Sequence, residues 1–294
     1  MSTASTGIFH TRLSPLINIH RLLPAAIVEE AAGLEIPLNS KEGFIRQIIG
    51  WREYVKHVHD ATEGFRTLVE QPVPTIGDGG FSLWDGAPWE SPITPEGLDG
   101  GANPNVLGGD LPLPPAYWGK PSGMNCLDTV VQSVWDEGWS HHITRLMVLS
   151  NIATLIGADP RALTDWFWIA YADAWDWVVE PNVLGMGTFS TGEVMTTKPY
   201  VAGAAYIQKM SNYCGDCRFS PTGNCPLRRL YWAFLARHEE MLKNNQRMWT
   251  IYNGLKKRSA EDRALDAAQY ERVRSLLLAG EELFPANVEP RGVR

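Results

Sequence analysis

Three of the chain's four cysteines fall in one stretch, NYCGDCRFSPTGNCP over residues 212–226, and the fourth, Cys126, lies far upstream. A Cys-x2-Cys pair lets a single turn present two thiolates to one metal, and a downstream Cys-Pro with one remote Cys completes four soft ligands. Zinc sites more often use two such knuckles. The spacing therefore leaves open a [4Fe–4S] cluster, a zinc ion, and thiols that are merely buried. If Cys126, Cys214, Cys217 and Cys225 do meet, they tie residue 126 to residue 225 and staple the core of the chain.

With 294 residues, 44% of them hydrophobic, the chain can bury a substantial core. The N-terminus, MSTASTGIFHTR, has no basic segment followed by an apolar one, and every apolar run is broken well before 18 residues. No membrane is expected as a partner, and a cytoplasmic monomer is expected. In a reducing compartment four cysteines favour metal ligation over disulfides. The net charge of −7 argues against nucleic acid at first sight, but the charge is segregated. Residues 196–258 carry eleven Lys or Arg against Asp216, Glu239 and Glu240, whereas residues 60–110 carry nine acids against Arg66 alone. The basic stretch reads either as a solvated helix face or as a dock for an anionic polymer. Twelve tryptophans are a large number for this length, suited to the core, to electron transfer or to stacking on bases.

Periodicity points to an all-α fold in a single domain. Pro24 suits a first helical position. Asn39 and Glu42 form a capping-box pattern before a helix whose Phe44, Ile48, Trp51 and Val55 share a buried face, with Arg46, Gln47 and Arg52 elsewhere around it. From about 60 to 115 the pattern stops in a Gly- and Pro-rich excursion. Helical spacing then returns, with Ser140 a plausible N-cap for a helix ending at Gly157 and Asp159-Pro160 opening RALTDWFWIAYADAWDW. Pro199 and Pro226 each suit the start of another helix, and SAEDRALDAAQYERVRSLLLAG closes the fold as a helix that packs. The sequence shows no nucleotide-binding glycine fingerprint and no internal repeat.

His141 and His142 stand in the first turn of a helix, where the positive dipole end disfavours imidazolium. Arg145 follows one turn later. Asp173 and Asp176 lie among Trp166, Trp168, Trp175 and Trp177. Because Asp is unfavourable inside a helix, at least one of them is expected to be held by a partner such as Arg145 or a ligand.

The order RLSPLINI, EGFIRQIIGWREY, MNCL, HHITRLMVLSN, DWFWIAYADAWDWV, PNVLGMGTFSTGEVMTTKPYVAGAAYIQKMSNYCGDC and CPLRRLYWAFL, over most of residues 8–255, resembles the iron–sulfur bacterial cryptochromes and photolyases, the prokaryotic (6-4) branch of the photolyase superfamily. The resemblance implies a helical FAD-binding catalytic domain, UV-damaged DNA as partner, and a [4Fe–4S] cluster on Cys126, Cys214, Cys217 and Cys225. It implies that Thr11, Leu13 and Ser14 form a flavin-phosphate turn, and that Gln47, Trp51 and Arg52 border the flavin. Arg145 and Asp173 would be the charged pair beside the isoalloxazine, with Asp176 nearby, and Tyr200 would lie in the lesion pocket. Trp118 and Trp166 would relay an electron, and His141 and His142 would move the proton that (6-4) repair needs. The sequence departs from the family in lacking the α/β antenna domain, so a short form without an antenna chromophore is expected. Val179 stands where the family has an acid facing flavin N5, with Glu180 next to it. A (6-4) photolyase is the favoured function, with a cyclobutane-dimer photolyase or a photoreceptor without repair as alternatives.

Overall fold

Local sequence sets several of the helix ends. Asp159 accepts a hydrogen bond from Ala162 N at 2.9 Å, and Pro160 follows it with a backbone already suited to a first turn. Gly157 ends the helix before them in the left-handed region, at φ 82°. Pro24 and Pro226 open their helices as expected, and Ser259 caps the last long one by accepting from Asp262 N at 3.0 Å.

The structure, a computed structural model, describes residues 1–5, 7–66 and 101–289. The elements run α1 Ser14–Asn18, α2 Pro24–Gly33, then α3, which comprises Leu38–Ile45, a π-helical segment Arg46–Trp51 and Arg52–Ala61. Next come α4 Asn125–Glu137 and α5, which passes from His142–Thr144 through a π segment Arg145–Ser150 into Asn151–Ile156. They are followed by α6 Pro160–Ala170, α7 with Asp176–Glu180 and a π segment Pro181–Gly187, α8 Ala204–Met210, α9 Pro226–Arg237, α10 Trp249–Lys256 and α11 Ala260–Leu278. Among the described residues there is no strand, only an isolated parallel bridge between Leu111 and Ala158. The all-α expectation holds. Most of the Gly- and Pro-rich excursion lies outside the described residues.

The main core lies between α4, α5, α6, α9 and α11, where Leu127, Ile152, Trp166, Leu230, Phe234 and Leu277 are all essentially sealed from solvent. Each such side chain contributes roughly 1.5–3 kcal/mol by leaving water. Helices α1 to α3 bury only a few residues, chiefly Ile17, Ala31, Ile48 and Val55, so they cover a flank instead of building the core.

Several expected boundaries move, each for a tertiary reason. The helix entered at Pro160 stops at Ala170, and residues 171–175 break from it. There the Asp173 carbonyl accepts from Asn18 and its carboxylate from Ser14 and Arg145, so side-chain bonds replace the helical ladder. Pro199 opens no helix. The Asn151 amide clamps Ala202 from both sides, at 2.9 and 3.0 Å, and the helix begins only at Ala204. Asn39 and Glu42 form no capping box, because the helix starts at Leu38 after Pro37 and Glu42 pairs with Arg46. Ser140 is not a cap either. Its hydroxyl bonds to the Tyr171 hydroxyl at 2.7 Å, and His141 takes the cap position.

Helix α11 does more than pack. Asp266, 1% exposed, accepts from Arg229 at 2.8 Å and from Arg258 at 2.7 and 2.8 Å, while Glu239 holds Arg263 and Glu282 holds Arg218. Three of the eleven cations of the basic stretch, Arg218, Arg229 and Arg258, are therefore paired with acids that follow it in the chain. Replacing Asp266 with Ala strands two partly buried guanidinium groups. It should cost about 3 kcal/mol, read as a lower denaturant midpoint with an unchanged slope.

Candidate functional site

The three π-helical segments converge on one feature. A cavity of about 440 Å³ is lined by Gln47, Ile48 and Trp51 from the first, Arg145 and Leu146 from the second, and Asn182 and Met186 from the third. A π turn widens the helix and swings neighbouring side chains onto one face. Phe44, Ile48, Trp51 and Val55 do share a face, as their spacing predicts, but that face lines the cavity. Gln47 and Arg52, expected elsewhere around the helix, join them there. The second and third segments approach closely: a Cβ on Gly187 would lie 2.7 Å from Ser150 Oγ, so a larger residue there would have to displace that hydroxyl.

An ion pair sits in the wall. Arg145 donates to both carboxylate oxygens of Asp173, at 3.0 and 2.9 Å, and its Nε donates to the Ser140 carbonyl at 2.7 Å. Its guanidinium also lies over the Tyr171 ring, 4.1 Å from the centroid. Asp173, 5% exposed, accepts from Ser14 Oγ at 2.6 Å, and its carbonyl accepts from Asn18 at 2.7 Å. Asn18 in turn accepts from Arg52 at 2.8 Å, and Arg52 stacks over Trp177. One bonded chain thus joins α1, α3, α5 and the break before α7. The expectation that Arg145 holds an Asp is met at Asp173.

The two histidines reach the cavity differently. The His141 ring is 5% exposed, and its Nδ1 is buried without a hydrogen-bond partner. Burial pulls its pKa down to about 4, with His10, the amino terminus, His142 and Arg145 adding to the shift. His142 also lines the cavity, accessible from it, and its pKa is lowered first by burial and then by Arg145 and His10. Both are neutral at pH 7 and able to accept a proton. Thr11, Leu13 and Ser14 line the same cavity, as does Val179. Glu180 does not take the place of Val179. It turns away to bond Arg161 at 2.7 Å, both side chains being fully enclosed, so the cavity meets an apolar side chain there.

Two expected residues stand apart. Tyr200 is 37% exposed and absent from the lining, and Asp176 accepts from the Trp168 indole outside it. Trp118 and Trp166 are bridged by Trp135, which sequence reasoning missed. Centroids lie 5.8 Å apart between Trp118 and Trp135 and 6.2 Å apart between Trp135 and Trp166. Trp166 then meets Phe167 and Tyr171, which line the cavity. The aromatic path runs from half-exposed Trp118 inward. Asn18, Asn182 and His10 were also missed. Nothing in their spacing marks them, since their importance lies in contacts with distant residues.

The four cysteines are free thiols lining one small cavity with Tyr213 and Phe219. Burial raises Cys126 well above the ordinary thiol range, and Cys225, Cys217 and Cys214 add to the shift. Cys225 is pushed up to about 12 by burial, with Cys217 and Cys214 adding. Among the described residues no three His, Cys, Asp or Glu side chains are grouped as a single metal ion requires. No helix among them is long and apolar enough to cross a membrane.

Fold and site together define a helical domain whose cavity is walled by a part-buried Arg–Asp pair and two neutral histidines. No family model matches the chain. A (6-4) photolyase of Agrobacterium fabrum is 38% identical over 221 residues, which are 74% of this chain and 37% of that protein. An uncharacterized protein of Acanthamoeba polyphaga mimivirus is 31% identical over 103 residues, 35% of this chain and 80% of the viral one. Over those 221 residues the chain is similar to a photolyase, and it spans little more than a third of that relative's length.

His141 and His238, each held near 4 in the folded state mainly by burial, regain their ordinary affinity for protons on unfolding. Between about pH 6.5 and 4 the unfolded chain therefore binds more protons, and stability falls as pH falls. In denaturant titrations across this range, His141→Gln should reduce that slope without abolishing it.

Proposed function

We propose that the cavity binds FAD and that the chain is a light-driven DNA repair photolyase acting on the (6-4) photoproduct. The observation that carries this is the bidentate Arg145–Asp173 pair facing the same cavity as His141 and His142, in a chain 38% identical over 221 residues to a (6-4) photolyase. The donor set fits a flavin nucleotide: hydroxyls of Thr11 and Ser14, the guanidinium of Arg52, the Asn182 amide, and broad apolar walls from Trp51, Leu146 and Met186. The buried, unpartnered His141 Nδ1 adds a polar atom that a ligand could satisfy. The flavin would supply the light-absorbing electron donor.

The protein's own groups have distinct tasks. Arg145 and Asp173 orient the ring system, and Val179 keeps that edge of the cavity dry. Neutral His141 and His142 are placed to take and return the proton that moves with a hydroxyl between two pyrimidines. Trp118, Trp135 and Trp166 form a route by which the flavin can be kept reduced. Lys209, Arg228, Arg247, Lys256 and Lys257 are exposed cations with no acidic partner among the described residues, and these would meet the phosphates of UV-damaged DNA. A damaged step is poorly stacked, so its bases are cheap to extrude.

We further infer that Cys126, Cys214, Cys217 and Cys225 hold a [4Fe–4S] cluster. A cuboid cluster is wider than one ion and spreads its thiolates further apart, which suits four thiols placed around a cavity. Protein prepared without oxygen should contain about four iron and four sulfide per chain. Cys126→Ser should lose most of both and the thermal stability that depends on them.

Val179 favours a second reading, a photoreceptor without repair, since no acid reaches the cavity at that place. The test is to illuminate the reduced protein with oligonucleotides bearing one defined lesion each. Restoration of the (6-4) lesion, lost by about 10²- to 10⁴-fold in His142→Ala, is the expected result. Restoration of only the cyclobutane dimer would refute the substrate, and restoration of neither would favour the photoreceptor.

A further inference from the structure

His10 lines the same cavity and has been given no task of its own, yet it lies against one of the two histidines. Its ring lies parallel to that of His141, with centroids 4.8 Å apart and an interplanar angle of 5°. The two residues are 131 positions apart, so the contact is made by tertiary structure alone. The backbone is bent to make it. Ile8 and Phe9 both occupy the left-handed region, at φ 40° and 61°, which a β-branched residue such as Ile8 rarely adopts. The bend is closed by a hydrogen bond from His10 N to the Gly7 carbonyl at 2.8 Å. Strain of this kind persists only where the surroundings impose it, and it gathers at functional sites.

The stack has a chemical consequence. His141 fixes its backbone as the N-cap of α5, where its carbonyl accepts from Thr144 and Arg145, but its ring Nδ1 has no partner. Hydrogen bonds therefore do not orient that imidazole, and the His10 ring is the flat surface against it. A flat ring laid on His141 keeps water from that face of the imidazole, and lost hydration disfavours its charged form. The charged groups facing His141 are His10, the amino terminus, His142 and Arg145, all of them cationic when charged.

We propose that His10 is a positioning residue of this site, laid flat on His141 so that this imidazole stays neutral and keeps one orientation toward a base entering the cavity. The inference rests on the reading of His141 and His142 as the proton-handling pair, but it can be tested without flavin or DNA. The full chain would carry ¹³C-labelled imidazoles, with His141 assigned through His141→Gln and each histidine titrated by NMR. In the unmodified protein the His141 signal should be shifted by the ring current of His10 and remain neutral down to about pH 5. In His10→Ala the ring-current shift should vanish and the midpoint should rise by about one pH unit. His10→Phe keeps a flat ring and should preserve the ring-current shift and a depressed midpoint.

His10 is exposed, so both variants should fold, which an unchanged melting temperature would verify. A His141 midpoint unmoved in His10→Ala would overturn the proposal. So would His10→Phe behaving like His10→Ala, since the flat ring would then not be the cause. Failure of lesion repair with these titrations as expected would sink only the photolyase reading, and the converse result would sink only the role of His10.

Discussion

The part-buried ion pair between Arg145 and Asp173 is the interaction on which the rest of the site depends. Taking two charges out of water is costly, and a pair of this kind survives only when its remaining hydrogen-bonding capacity is met. Here it is met on every side: the Ser140 carbonyl and the Tyr171 ring hold the arginine, while Ser14 and a second arginine nitrogen hold the aspartate. The partners come from three separate segments, so the same bonds that satisfy the charges also bring α1, α5 and the break before α7 to one place. Losing the arginine would leave the Asp173 carboxylate buried and short of its countercharge, at a cost of about 3–5 kcal/mol.

Around that pair the chain gives up regular helix. Three π segments and the non-helical stretch 171–175 all border the cavity, whereas the core between α4, α9 and α11 is built from ordinary helices. The division is physical. Ordinary α-turns present a narrow apolar stripe suited to packing, and a wall that must carry Gln47, Trp51, Arg145 and Asn182 toward one space needs a wider turn. Helices α1 to α3, with few buried residues of their own, then serve as the cover of a cavity whose floor is the main core. The expected FAD site and the thiol-lined cavity are thereby separate features joined through α4, which starts beside Cys126 and packs against α5.

Helix starts were legible where one residue does the work locally, as at Asp159, Pro226 and Ser259. The pairing of Arg145 with an aspartate could also be read, from the cost of Asp within a helical pattern. What could not be read was decided across the chain. The clamp of Asn151 on Ala202 delays a helix that Pro199 suggested, and the ladder that should continue past Ala170 is broken by Asn18, Ser14 and Arg145. The basic stretch gave the clearest lesson. Its charge was correctly counted, but Asp266 and Glu282, in or beyond the last long helix, neutralise Arg229, Arg258 and Arg218, leaving a smaller set of free cations. Tyr200 and Asp176, assigned through family likeness, stand outside the cavity, while Trp135 and His10 enter the site through ring contacts that no periodicity encodes.

The Arg145–Asp173 pair is proposed to shape a flavin site. Titration of FAD into flavin-depleted protein, followed by quenching of flavin and tryptophan fluorescence, tests it most directly. Saturation at one FAD per chain, with affinity lowered at least tenfold in Asp173→Asn while the melting transition stays cooperative, is the predicted result. No saturable uptake by the unmodified chain, or equal affinity in the variant, would contradict it.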